Sequence, residues 1–258
     1  MAFSKKLLST LIPAALLCAT SANSNEDVIS VPVATQAITI DGIANDSAWS
    51  ASTWLPIDQH MIGEYPSKED FSGRFKLLWD KDYLYLLAEI TDDVLIDKIA
   101  DPLDRYWDDD CLEIFLDEDA SGGNHQFDFN AFAYHVALDN QVADIGPNNT
   151  DGSTNFILLN DHVNSVWKRD TNAPHKVYWE LAIKIFDDSF TLPSNNPENI
   201  PVKLSADKTM GFMLAYCDND ASVEREHFLG SHKITPVNGD KNLGYIDASV
   251  FGKIKLVK

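Results

Sequence analysis

The stretch "VYWELAIKI", Val177 to Ile185, alternates without a break. Val177, Trp179, Leu181, Ile183 and Ile185 fall on one face, and Tyr178, Glu180 and Lys184 on the other. A period of two belongs to a strand with one dry face, and a helix of period 3.6 cannot satisfy it. The period recurs along the chain. "RFKLLWD" and "YLYLLAEITD" read as strands joined by the turn "DKD", and "CLEIFLDED" as a third closed by "ASGGN". "HQFDFNAFAYHVAL" reads as one long strand with room for a bulge, and "MGFMLAYCDND" and "FGKIKLV" complete the set. Helix signals are confined to "SAWSAS", with Asn45 or Asp46 as its N-cap, and "IFDDSF". The pattern predicts an all-β fold of two antiparallel sheets packed as a jelly-roll or immunoglobulin-like sandwich, with one or two short helices. There is no repeat and no linker, so residues 30–258 read as a single domain. The segments 140–156 and 187–210 are rich in Asn, Pro and Gly and read as long loop insertions.

Residues 1–24 read as a signal peptide. Lys5 and Lys6 precede the apolar run "LLSTLIPAALLCA", which is too short to span a bilayer, and the small residues of "ATSANS" follow. Leu17, ahead of Cys18, is too large for a lipoprotein processing signal. This predicts export to the periplasm or outside the cell. The chain holds 40 acidic against 20 basic residues, a formal charge of −20. That balance lacks the basic footprint nucleic acid requires and suits neutral ligands or divalent cations. Beyond the leader, the cysteines are Cys111 and Cys217. Export permits a disulfide between them, and two buried thiols are the equal alternative. No Cys/His cluster has zinc spacing.

The stretch "RYWDDDCLEIFLDED" puts a tryptophan ahead of an acid-rich strand. It admits a metal loop, a catalytic carboxylate pair or an aromatic ligand platform. By strand parity Cys111, Glu113 and Phe115 share one face, while Leu112, Ile114 and Leu116 point to the core. On the next strand Gln126, Asp128, Asn130 and Phe132 share a face, which predicts Asp128 close to Glu113. "WDDDC", "DEDASGG" and "DNDASVERE" are oxygen-rich turns of the kind hard cations prefer, though none has the EF-hand pattern. Asp109, Asp110, Asp117 and Asp119 are the candidate ligands of a structural calcium ion.

Six motifs in order resemble a known family. "ITIDGIANDSAWSAS" is similar to "IDGxxDExW", and "FKLLWDKDYLYLLAEITD" to "xxLWDxxYLYVxxxVxD". "WDDDCLEIFLDED" resembles "W-x-x-DSVEIFLD", "QFDFNAF" resembles "QFRVN", "YWELAIKI" resembles "xxEAAIxW", and "FGKIKLVK" resembles "FGxIxL". The chain thus resembles carbohydrate-binding module family 9 over nearly its whole length after the leader. The resemblance implies a β-sandwich in which two aromatic rings clamp a sugar while polar side chains bind its hydroxyls, often with bound calcium. It assigns the rings to Trp107 and Tyr245, and polar contacts to Glu113, Asn130 and Asn242. Asp128 stands where sugar-binding members carry Arg, and Ala215 where a Gln is expected.

The expectation is an exported, non-catalytic protein that binds an oligo- or polysaccharide and serves polysaccharide catabolism beside separate glycoside hydrolases. Three alternatives stand beside it. A glycosidase would pair Glu113 with Asp128 or Glu180, at about 5–5.5 or 6.5–9.5 Å. A haem-carrying relative would draw axial ligands from Met61, Met210, Met213, His60 or His232. A partner-binding sandwich would have lost sugar binding through Asp128 and Ala215.

Overall fold

The alternating segments pair into two sheets. The computed structural model describes residues 28–172 and 174–258, so the leader at 1–24 lies outside the described residues. The larger sheet runs in the order β1 (Ile29–Pro32), β14 (Gly252–Val257), β12 (Thr209–Asp218), β6 (Cys111–Asp117), β7 (Phe132–Ala137), β8 (Val142–Gly146) and β9 (Asn155–Leu158). Beyond the second half of β12 it is extended by β13 (His227–Gly230) and β3 (Gln59–Ile62). The smaller sheet runs β10 (Val163–Arg169), β11 (Val177–Ile183), β5 (Leu84–Asp92), β4 (Phe71–Trp79) and β2 (Leu55–Ile57). Every named pair is antiparallel except β1 with β14.

Period two decides which side chains meet. Trp179 and Leu181 on β11, Phe75 and Leu77 on β4, Leu112 and Ile114 on β6, and Phe212 and Tyr216 on β12 fill the space between the sheets. Burying each such side chain contributes about 1.5–3 kcal/mol. The opposite face of β6 and β12 is also dry. There Cys111, Phe115, Met213, Ala215 and Cys217 are covered by Ile234, Ala248 and Phe251 from the C-terminal segments. On the outside of the smaller sheet, Glu180 is buried and accepts hydrogen bonds from Asp41 N, Gly42 N and Trp49 Nε1. It ties down the N-terminal segment.

Three local expectations are corrected. The stretch 125–138 is not one strand: 125–131 folds as turns and β7 starts only at Phe132. The expected loop 140–156 contains β8 and β9, a hairpin through 147–154. The short helices are single 3-10 turns at Ser47–Ala51 and Ala248–Val250, and "IFDDSF" is not helical. Asp46 is the N-cap of the first, but its carboxylate accepts from Thr39 N instead of capping.

Candidate functional site

The central strands of the larger sheet deliver the polar groups. In the β6–β7 ladder Glu113 stands opposite His135, and in the β6–β12 ladder opposite Ala215. Glu113 Oε1 lies 2.8 Å from His135 Nε2 and accepts from Arg225 NH1 at 2.8 Å. The Cys217 thiol donates to the same oxygen at 3.0 Å. Arg225 lies in the segment between β12 and β13, its guanidinium 4.2 Å from the centre of the Phe228 ring. Burial alone would raise the Glu113 carboxyl. His135, Arg225 and Cys217 outweigh it and hold the group down at about 2.

Above this floor is a cavity of about 360 Å³. Its rings are Tyr106, Trp107, Phe156 and Tyr245, its polar groups Glu113, Gln126, His135, Thr154, Arg225 and Asn242, with Ile145 between them. Tyr106 is buried and organises one wall. It meets Trp107 edge-on at 5.1 Å, His135 at 4.6 Å and Phe156 at 5.6 Å between ring centres. Trp107 stays half-buried because the next three residues anchor its loop. Asp108 Oδ1 accepts from Arg225 N, Asp109 Oδ2 from Lys98 N and Ile99 N, and Asp110 from Ile96 N and Asn219 N. The other wall carries Asn242 and Tyr245. His125 fixes it, with its ring 2.8 Å from the Gly244 carbonyl and its backbone N–H donating to Ile246 O. Gly244 passes so close to the sheet that a Cβ would lie 2.7 Å from Phe115 Cε1 and 2.9 Å from Met213 Cε.

Trp107, Glu113, Asn242 and Tyr245 therefore converge on one cavity, and Asp128 and Asn130 do not line it. Asp128 is exposed in the turn before β7, its carboxylate accepting from Asn130 N. Asn130 Nδ2 donates to Gly122 O and braces the next turn. The expected Glu113–Asp128 contact is replaced by Glu113–His135, because the strand begins later than predicted and its odd-numbered residues face the cavity while the even-numbered ones face the core. The guanidinium missing at position 128 arrives from Arg225. Tyr106, His135, Phe156 and Arg225 were not singled out from the sequence. Only His135 left a signal there: it shares the face of Ala133 once Phe132, Tyr134 and Val136 are assigned to the core. The carboxylate pairs of a glycosidase are not assembled, since Glu180 lies on the outside of the other sheet. Among the described residues no methionine lines the cavity, and Met210 is in the inter-sheet core.

The predicted metal ligands do not converge either. Asp117 accepts from Asp119 N and Gly122 N, and Asp119 from Ser121 N, in a turn apart from Asp109 and Asp110. Asp110 instead joins Asp92 and Asp218, all three buried, with carboxylate oxygens within 4.8 Å of one another. Oδ1 of Asp92 and Oδ1 of Asp218 are buried without a hydrogen-bond partner. Burial, and then repulsion from its neighbours, raises Asp92 to about 7 and Asp110 to about 9. The spare oxygens suit a hard cation.

A two-sheet sandwich with a ring-walled, polar-floored cavity on one outer face is the build of a ligand-binding module. The chain belongs to carbohydrate-binding module family 9: the family model described as "Carbohydrate family 9 binding domain-like" matches residues 40–258. It is 26% identical over 224 residues to endo-1,4-beta-xylanase C of Paenibacillus barcinonensis, covering 85% of this chain but 16% of that enzyme. It is similar to a family 9 module from Caldicellulosiruptor kristjanssonii solved with cellotriose, at a TM-score of 0.61 and 22% identity over 89% of this chain and 93% of that one. The same organism's module solved with glucose gives 0.60 and 22% over 88% and 95%. At that identity the likeness shows the fold. Among the described residues no helix is long and apolar enough to cross a membrane.

Proposed function

We propose that this protein binds the end of a neutral glycan, or a short oligosaccharide, without transforming it. The observation that carries this reading is the cavity itself, in which half-exposed Trp107 and Tyr245 stand over a buried Glu113–Arg225–His135 group. A pyranose offers C–H groups to ring faces, and its hydroxyls need partners once dry, each unpaired group costing about 1–3 kcal/mol. Glu113 is an acceptor of hydroxyl protons, Arg225 a donor, and Asn242 either. Held near 2, Glu113 has no proton to give at neutral pH, which argues for binding over acid catalysis. The relatives solved with cellotriose and glucose make β-linked gluco-oligosaccharides the first ligands to try. Likeness to part of a xylanase supports a role in polysaccharide breakdown beside glycoside hydrolases. The leader supports action in the periplasm or outside the cell. Calcium fits Asp92, Asp110 and Asp218, whose spare buried oxygens it would neutralise, and its role there is structural.

Calorimetric titration with glucose, cellotriose and xylo-oligosaccharides, in calcium and in chelator, tests the reading. Saturable binding to at least one is expected, weakened at least tenfold by Trp107→Ala, a loss of about 1.4 kcal/mol. Failure with every glycan, or undiminished affinity in Trp107→Ala, rejects it.

A further inference from the structure

Sugar binding leaves two buried thiols unused. Cys111 and Cys217 stand opposite each other in the β6–β12 ladder, fully buried and unpaired as thiols. Cys217 Sγ is 3.0 Å from Glu113 Oε1, and His135 Nε2 is 2.8 Å from that oxygen. One donor atom from each of Cys111, Glu113, His135 and Cys217 lies within 4.8 Å of the other three. We propose that these four side chains form a binding site for a borderline-soft divalent cation, zinc by its donor set, beneath the floor of the cavity.

Geometry, orientation and charge each support the site. A tetrahedral zinc with bonds of about 2.0–2.3 Å holds its donors about 3.3–3.8 Å apart, so side-chain movements of about an ångström close the set. Two sulfurs and an imidazole match zinc, whereas calcium prefers an all-oxygen shell. His135 Nδ1 faces Ala133 O at 3.2 Å, the backbone contact that fixes a ligating imidazole and leaves Nε2 for the metal. Two thiolates, one carboxylate and a dication sum to −1. Arg225 supplies the balancing charge, with NH1 2.8 Å from Glu113 Oε1 and 2.9 Å from Cys217 Sγ. Zinc binds thiolate, so two S–H protons leave to solvent as the buried cysteines take up the ion. The ligands come from three strands, which is why no local Cys/His spacing betrays them. The family pattern has Ser where Cys111 stands, so the site is a feature of this chain.

The proposal stands whether or not the cavity takes a sugar. Reduced, chelator-stripped protein, held in excess calcium to fill its carboxylate sites, is titrated with cobalt(II) and then zinc. One equivalent of cobalt should give thiolate-to-cobalt charge-transfer absorption with the strong visible bands of a tetrahedral ion, and zinc should bleach both. Cys111→Ser and Cys217→Ser should each weaken uptake by more than about 100-fold, beyond the loss typical of an outer partner. Trp107→Ala, which removes only the sugar platform, should take up cobalt like the wild type, so the two readings fail separately. No charge-transfer band in the reduced wild type, its persistence in both Cys variants, or a Cys111–Cys217 disulfide in freshly isolated protein overturns the proposal.

Discussion

Arg225 reaches Glu113 from 112 residues further along the chain, and no local pattern announces it. Its side chain is 9% exposed against 3% for Glu113, so the pair is largely buried in the cavity floor. Breaking a buried pair from one side leaves an uncompensated charge, at about 3–5 kcal/mol. Arg225→Met should lose stability on that scale in a denaturant melt and lose glycan affinity in calorimetry. Adding Glu113→Gln should restore part of the stability but not the affinity. Asp128→Ala, in an exposed turn, should stay within about 0.5 kcal/mol of wild type and bind glycan within twofold. If Asp128→Ala binds worse than Arg225→Met, the floor has been assigned to the wrong residues. Trp107, Glu113, Asn242 and Tyr245 were legible because each sits in a short motif next to a strand that could be read. Arg225 reaches the cavity through tertiary pairing, which a single sequence does not display, and His135 is readable only once the core face of β7 is fixed.

Most long strands announce themselves, and short ones do not. β4, β5, β6, β11, β12 and β14 run 6–10 residues and hold a period of two long enough to be seen. β2, β3, β8, β9 and β13 run 3–5 residues, too few to fix a phase. β7 shows what a phase error does. Starting the strand at His125 rather than Phe132 gave Gln126, Asp128 and Asn130 the face of Phe132, which is the core face. The wall that carries Asn242 and Tyr245 has no strand at all and is positioned by close approach at Gly244. A Cβ there would strike Phe115 and Met213, so Gly244→Val should lift the segment and cost about 1–3 kcal/mol. Its glycan affinity should fall at least tenfold although no lining side chain is altered. Wild-type affinity in Gly244→Val would show that the wall does not position the ligand.

At the scale of the whole molecule, an excess of 20 negative charges works against compaction, and burying some of it works harder still. Asp92, Asp110 and Asp218 are 0–1% exposed. Burial raises all three, Asp218 to about 6; repulsion adds to it, from Asp218 on Asp92, from Asp92 and Asp218 on Asp110, and from Asp70 and Asp220 on Asp218. Without a cation, each ionised carboxylate in that group opposes the fold. The calcium ion proposed for this group would reverse the sign, because it would attract all three carboxylates and occupy the spare oxygens of Asp92 and Asp218. At a calcium concentration of about 100 times Kd the native state gains about 2.7 kcal/mol. For a domain of this size that amounts to about 5–10 °C in Tm. Scanning calorimetry in calcium and in chelator should show that difference for the wild type. Asp92→Asn should melt higher than wild type in chelator, because repulsion is relieved, and gain little from calcium. Asp119→Asn, in the turn after β6, should keep the full calcium response. A wild-type Tm that ignores chelator, or a calcium response lost in Asp119→Asn and kept in Asp92→Asn, would move the ion away from the buried carboxylates.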